Sequence, residues 1–185
     1  MKKLYLLRHA KSSWDDPNLE DFQRPLNKRG RKAAKLMAEY FRRAGIAPQL
    51  VLCSPARRTR QTFELLAPAL GETRVTFDER IYEASRQTLL ARIAELPATA
   101  GAVLLIGHNP GLERLALHLG EEAERASGAV SPALQRLRDK YPTAGLTAIV
   151  SDAAGWDAVS PANSQVESFI RPVDLGDIDA DLFAD

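Results

Sequence analysis

Residues 4–10 read Leu-Tyr-Leu-Leu-Arg-His-Ala, an apolar run that stops abruptly at Arg8 and His9. A short apolar run of this kind predicts a buried strand that delivers an arginine and a histidine at its carboxyl end. In open α/β sheets, ligands bind beyond the carboxyl ends of the strands. An imidazole there can act as a nucleophile, and a guanidinium beside it can hold an anion in a two-pronged fork. Residues 102–108, Ala-Val-Leu-Leu-Ile-Gly-His, repeat the construction, so two of the three histidines stand at strand exits. Either histidine alone is accounted for as a strand end bonded to a backbone carbonyl. The pair, with Arg8 attached, points to a site.

Outward from these runs, apolar stretches alternate with helical periodicity along most of the 185 residues. That pattern predicts an α/β fold: one single-domain mixed, mostly parallel sheet with helices on both faces. A helix carrying Ala33, Leu36, Met37, Tyr40 and Phe41 on one face is expected to close at Gly45. Leu50 to Cys53 then runs into Ser54-Pro55, read as a helix cap followed by a proline at the first helical position. Further strands are expected at 74–77 and 102–107, and helices after Ser85 and after Asn109-Pro110. Beyond Gly120 the periodicity weakens, and 121–130 reads as a polar connection before a short helix at 132–141. Residues 146–150 and 156–159 read as a hairpin, with a last strand at 166–170. The domain is expected over residues 1–173, followed by an acidic tail, 174–185, that Leu175, Ile178, Leu182 and Phe183 could dock.

Composition narrows the function. A formal net charge of +1 argues against a general nucleic-acid or membrane-surface binder. Met1-Lys-Lys imitates the start of a signal peptide, but Arg8 cuts the following apolar run short, and no stretch is long enough to span a bilayer. The expectation is a cytoplasmic protein with neither a membrane nor a nucleic acid as partner. The single cysteine, Cys53, lies in an apolar run and reads as a small buried hydrophobe. With no cysteine pair and no cluster of carboxylates, neither a metal nor another cofactor is expected.

Three strand-to-helix junctions therefore carry polar residues of one kind: Arg8-His9, Ser54-Pro-Ala-Arg-Arg58 and Gly107-His-Asn-Pro110. Arginines, histidines and free N–H groups at helix starts suit a phosphoryl group. Arg57, Arg58 and Arg60 cannot all face one way at helical spacing; Arg58 shares a face with Ser54 and Thr62 and is the one expected in the pocket.

Together, Leu-Arg-His-Ala at 7–10, Ser-Pro-Ala-Arg-Arg-Thr-Arg-Gln-Thr at 54–62, Tyr-Glu-Ala at 82–84 and Gly-His-Asn-Pro at 107–110 resemble the histidine phosphatase (phosphoglycerate mutase-like) superfamily. The short branch of bacterial phosphohistidine phosphatases is the most similar, and Arg24-Pro-Leu26 and Phe169-Ile-Arg-Pro172 share that likeness. The resemblance implies a metal-independent phosphatase in which His9 takes the phosphoryl group as a covalent phosphohistidine. It implies that Arg8, Arg58 and His108 hold the phosphoryl oxygens and that Glu83 protonates the leaving group and then activates water. Glu83 also fits a plain surface carboxylate before a helix. For attack, His9 must be neutral; two nearby guanidinium groups are expected to lower its pKa, with its second nitrogen fixed by a carbonyl. His108 is expected to act as a cation.

Asn109, Ser12 and Arg24 are expected at the substrate pocket, although Ser12 and Arg24 also fit loop-bracing roles. Ala10 stands where the family has glycine, which is tolerable unless the position needs positive φ. Asp15 stands where related mutases carry an asparagine, so it is expected to turn away or to pair with a base such as Lys11; mutase activity is disfavoured. His118 receives no role. The expected partner is a phosphorylated protein carrying phosphohistidine, or a small phosphorylated molecule. The alternatives are a small-molecule phosphomonoesterase of the same superfamily and a non-catalytic phosphate-binding module.

Overall fold

The central strands dictate the arrangement. In the computed structural model, which describes residues 1–176, β1 (Lys2–Arg8) and β4 (Ala102–Gly107) lie side by side in the middle of a six-stranded sheet. Their neighbours are β2 (Leu50–Cys53), β3 (Arg74–Phe77), β5 (Leu146–Ser151) and β6 (Ser164–Ile170), in the order β3-β2-β4-β1-β5-β6. Strands β3, β2, β4 and β1 run parallel, and β5 and β6 complete the sheet antiparallel. Val103 to Ile106 are fully buried because helices cover both faces. Val103 and Leu105 turn to one cluster together with α3 (Arg86–Ala94) and α4 (Gly111–Ser127). Leu104 and Ile106 turn to the other, against α1 (Lys28–Arg43) and α2 (Arg57–Leu70). No helix among the described residues is long and apolar enough to cross a membrane.

Register brings the polar strand exits together. Arg8 pairs with Gly107 and Cys53 with Ile106, so His9, His108 and Ser54 leave three adjacent strands at the same edge. The His9 N–H donates to the Gly107 carbonyl at 3.0 Å, and the Ser54 N–H to the Ile106 carbonyl at 3.0 Å.

Several expectations need correction. Residues 121–127 continue α4, which ends only at Gly128, a left-handed cap with φ 65°. A Cβ on Gly120 would meet Val166 and Leu134 at 2.8 and 2.9 Å. Its absence lets α4 press against β6 and α5 (Pro132–Asp139), and this packing carries the helix through a stretch with weak periodicity. The partner of β5 is β6 rather than 156–159. Trp156 instead begins a single 3-10 turn, Trp156–Ala158, and donates its indole N–H to the Ala100 carbonyl at 2.8 Å. A buried indole needs such a partner, and this one lies outside the β5–β6 ladder.

Neither helix at the site is capped as expected. α2 starts at Arg57 and α4 at Gly111, and neither has a side-chain cap. Ser54 Oγ reaches only the N–H of Ala56, ahead of α2, at 3.5 Å and also faces His108, and the Asn109 side chain bonds Glu113. At the carboxyl end, the 3-10 turn Pro172–Leu175 crosses the expected 173/174 boundary, and Leu175 packs against the α1–α2 core. Ile178, Leu182 and Phe183 lie outside the described residues.

Candidate active site

His9 is the centre of the three exits. Buried to 8% exposure, its Nδ1 lies 2.8 Å from the Ala10 carbonyl. A carbonyl can only accept, so Nδ1 carries the ring proton and Nε2 presents its lone pair. The Arg58 Nε–H points at that nitrogen from 3.3 Å. Burial pushes the His9 pKa down to about 3; the positive charges of Arg58 and Arg8 add to this, and the Ala10 carbonyl opposes it. The expected neutral histidine is present, but desolvation rather than the guanidinium groups is the main cause. Ala10 is buried and lacks positive φ, so its methyl is accommodated in the α1–α2 core.

His108 lies with its ring centroid 5.2 Å from that of His9. Arg58 Nη2 contacts its Nδ1 at 3.2 Å, and a guanidinium can only donate. The proton therefore sits on His108 Nε2, which faces Ser54 Oγ at 2.7 Å. Burial, and secondarily Arg58, push the His108 pKa to about 3. His108 is thus neutral in the unliganded site, contrary to the expected cation, because desolvation beside a fixed guanidinium disfavours a second charge.

The helix-face argument for α2 is matched by burial. Arg58 and Thr62 are buried, whereas Arg57 and Arg60 are exposed. Thr62 Oγ1 accepts the Ala10 N–H at 3.0 Å and donates to the Arg58 carbonyl at 2.7 Å, tying the helix to the histidine strand. Arg8, at the end of the same strand as His9, donates its Nη1 to the Tyr141 carbonyl at 2.7 Å. Tyr141 in turn donates its hydroxyl to the Leu6 carbonyl at 2.8 Å. Asn109 is held by Glu113 at 2.9 Å and lies 3.4 Å from the Tyr141 carbonyl.

Asp21 and Tyr82 were missed by sequence reasoning. The Asp21 carbonyl accepts from Arg58 Nη1 at 2.7 Å, and its carboxylate accepts from Arg58 Nη2 at 2.9 Å. Tyr82 donates its hydroxyl to the same carboxylate oxygen at 2.7 Å, and its ring stands edge-on to His108 with centroids 5.3 Å apart. Hydrogen bonds from Tyr82 and Arg58 overcome partial burial and hold the Asp21 pKa below the usual carboxylate value. A signal was available in the Arg24-Pro-Leu26 likeness, since Arg24 grips Asp21 at 2.8 Å. Ser12 and Arg24 are buried and bond to each other, and Arg24 lies over the Trp14 ring, so both brace the loop around Asp21. Asp15 turns away, accepting from Ser13 Oγ at 2.7 Å.

Glu83 is exposed and makes no hydrogen bond or ion pair among the described residues. Its φ of 48° is left-handed, a conformation that costs an ordinary residue roughly 1–2 kcal/mol. The turn is forced hard against α4, where a Cβ on Gly111 would lie 2.1 Å from the Ala84 carbonyl oxygen. His118 lies on α4, and no group of three or more metal-ligating side chains occurs among the described residues.

This geometry offers a neutral, buried imidazole with a bare ring nitrogen, facing a guanidinium whose fork is already held by a carboxylate.

The model of the histidine phosphatase superfamily (branch 1) matches residues 4–159. The uncharacterized protein Rv1276c of Mycobacterium tuberculosis (strain ATCC 25618 / H37Rv) is 32% identical over 166 residues, spanning 90% of this chain and 99% of that protein. A structure from Nakamurella multipartitia, assigned as the phosphohistidine phosphatase SixA, superposes with a TM-score of 0.81 at 26% identity. That match covers 93% of this chain and 96% of the other. A second such assignment, from Agrobacterium tumefaciens, gives a TM-score of 0.74 at 30% identity over 92% of this chain and 98% of the other.

Proposed function

We infer the reaction from what the chain is: it belongs to the histidine phosphatase superfamily, within the SixA-like short branch, and is a phosphatase. Its substrate in this reading is protein phosphohistidine, and its reaction runs through His9. The single observation that carries the reading is the bare Nε2 of a neutral His9 with the Arg58 Nε–H aimed at it at 3.3 Å.

In the first step the Nε2 lone pair attacks phosphorus, the bond to the leaving group breaks, and the leaving imidazole takes a proton. Arg8, Arg58 and His108 carry the phosphoryl oxygens, and the dianion draws a proton onto His108 as it displaces Asp21 from the Arg58 fork. In the second step water attacks the phosphorus of phospho-His9. The P–N bond breaks, the water proton passes to a carboxylate, and inorganic phosphate leaves with His9 restored. Glu83 is the carboxylate proposed for both proton transfers. The strained backbone that holds it beside Tyr82 supports this assignment. Two independent features support phosphohistidine as the substrate: the SixA assignment of the structural relatives, and an exposed Glu83 with no hydrogen-bond or ion-pair partner among the described residues to hold it against an alkyl leaving group.

Single-turnover kinetics of Glu83→Gln test the substrate class. Imidazole can leave with a proton from solvent, whereas an alkoxide needs positioned acid catalysis, which contributes about 10²–10⁴-fold. The first half-reaction should therefore slow far more with an alkyl phosphate than with phosphohistidine. Equal losses would favour a small-molecule phosphomonoesterase.

A further inference from the structure

Four rings lead outward from the nucleophile. The centroids of His9 and His108 are 5.2 Å apart, those of His108 and Tyr82 5.3 Å, and those of Tyr82 and Phe22 5.1 Å. The first two rings are buried and the last two half-buried, so the series runs from the catalytic centre to the surface. Neither Phe22 nor Tyr82 packs into either hydrophobic cluster of the core, so core packing does not account for them. Both rings are nevertheless fixed. Tyr82 donates its hydroxyl to the Asp21 carboxylate at 2.7 Å, and the same carboxylate oxygen accepts from Arg58 at 2.9 Å. Phe22, the residue after Asp21, stands at 76° to the Tyr82 ring in an edge-to-face contact. The guanidinium carbon of Arg58 lies 5.9 Å from the Tyr82 centroid, so the aromatic pair adjoins the group assigned to the phosphoryl oxygens.

We propose that Phe22 and Tyr82 form the subsite for the leaving group and favour an aromatic one, the imidazole of phosphohistidine, with Phe22 as the specificity-determining residue. The proposal rests on the phosphohistidine reading above and deepens it by assigning side chains to the departing ring. Planar rings gain from edge-to-face and offset contacts at centroid separations of about 4.5–7 Å, and a saturated group of similar size does not share that gain. A ring already held in place loses less side-chain freedom on binding than a mobile one, which is what the Asp21 anchor of Tyr82 supplies. An imidazole seated there departs beside the carboxylate proposed as proton carrier, since Glu83 directly follows Tyr82.

Phenylphosphonate and cyclohexylphosphonate share a stable head group and differ in whether the ring is aromatic, so their inhibition of p-nitrophenyl phosphate hydrolysis reads the subsite directly. The full-length native protein should bind the phenyl compound more tightly. Phe22→Leu, which keeps an apolar side chain at a half-buried position, should reduce that preference by roughly fivefold, the scale of one aromatic pair, and Phe22→Tyr should retain it. Comparing the same two probes across variants cancels their own difference in acidity. With a peptide phosphorylated on histidine, Phe22→Leu should raise KM by a similar factor and leave kcat in place, while turnover of an alkyl phosphate stays unchanged. A preference that is the same in the native protein and Phe22→Leu, or that is lost equally in Phe22→Tyr, would overturn the subsite while the phosphatase reading stood. A fall in kcat for peptide and alkyl phosphate alike would do the same, since it would make Phe22 a general support of the site. A Phe22-dependent aromatic preference in a protein that releases no phosphate from the histidine-phosphorylated peptide would overturn imidazole as the occupant, and with it the phosphohistidine reading.

Discussion

The parallel and antiparallel halves of the sheet differ in what they contribute. Strands β1, β2 and β4 are parallel neighbours, so their carboxyl ends fall at one edge and bring together His9, Ser54 and His108. Strands β5 and β6 return antiparallel and supply supports instead. Thr147 Oγ1 donates to the Tyr141 hydroxyl at 3.1 Å, and Trp156, just beyond β5, fastens the Ala100 carbonyl at the start of β4. Chemistry gathers where strands point the same way, because only there do several chain segments end side by side. Bracing comes from the half whose strand ends point in opposite directions.

The sharpest way to break this comparison is His9→Ala. Hydrolysis of p-nitrophenyl phosphate should fall by more than about 10⁴-fold while circular dichroism shows the fold retained. After brief exposure to labelled substrate and an acid quench, acid-labile, base-stable label should remain on the native protein alone. Label on the variant would remove His9 as nucleophile. The same variant sharpens the account of burial. The folded pKa values of His9 and His108, about 3, lie below the ordinary 6.5, so between these values the unfolded chain takes up protons that the native state refuses. Stability is complete above about pH 6.5 and is lost as pH falls toward 3. Urea unfolding of His9→Ala should therefore show a shallower loss between pH 6.5 and 4; an unchanged slope would mean that His9 is charged in the fold.

Next in size is Trp156→Ala on the antiparallel side. Removing a fully buried tryptophan should cost about 3–5 kcal/mol of stability, read by denaturant melts, with kcat per folded molecule unchanged. A fall in kcat at full folding would show that this half also tunes the chemistry.

The smallest expected effect separates two neighbours on α2. Arg58→Ala should weaken vanadate binding by roughly tenfold or more, the value of about 1.5–3 kcal/mol for a charged hydrogen bond. Arg57→Ala should change it little, since Arg57 is exposed. Equal losses would mean that one face of α2 is not singled out by the pocket.

Much of the parallel half was legible because its signals are local. Continuous apolar runs at 4–7 and 102–106 can satisfy a strand only when both faces are covered, and the first polar residue after each marks the exit. The Arg58 face followed from 3.6-residue periodicity. The other half was harder to read. The strand-like run at 156–159 is a turn because its indole found a carbonyl at Ala100, and 121–127 is helical because Gly120 allows close packing on β6 and α5. Neither partner is near in sequence.

By itself, then, the sequence determined the α/β class, the two histidines at strand exits and the single arginine facing them, since each depends on spacing within a few residues. Only the tertiary structure decided that burial is what keeps His9 neutral, that His108 is neutral as well, that Asp21 holds the Arg58 fork, and that Arg24 and Ser12 brace the loop behind it. Protonation depends on how much water burial removes, and these contacts join residues as far apart as Asp21 and Arg58. Both are properties of the packed chain, and no local pattern encodes them.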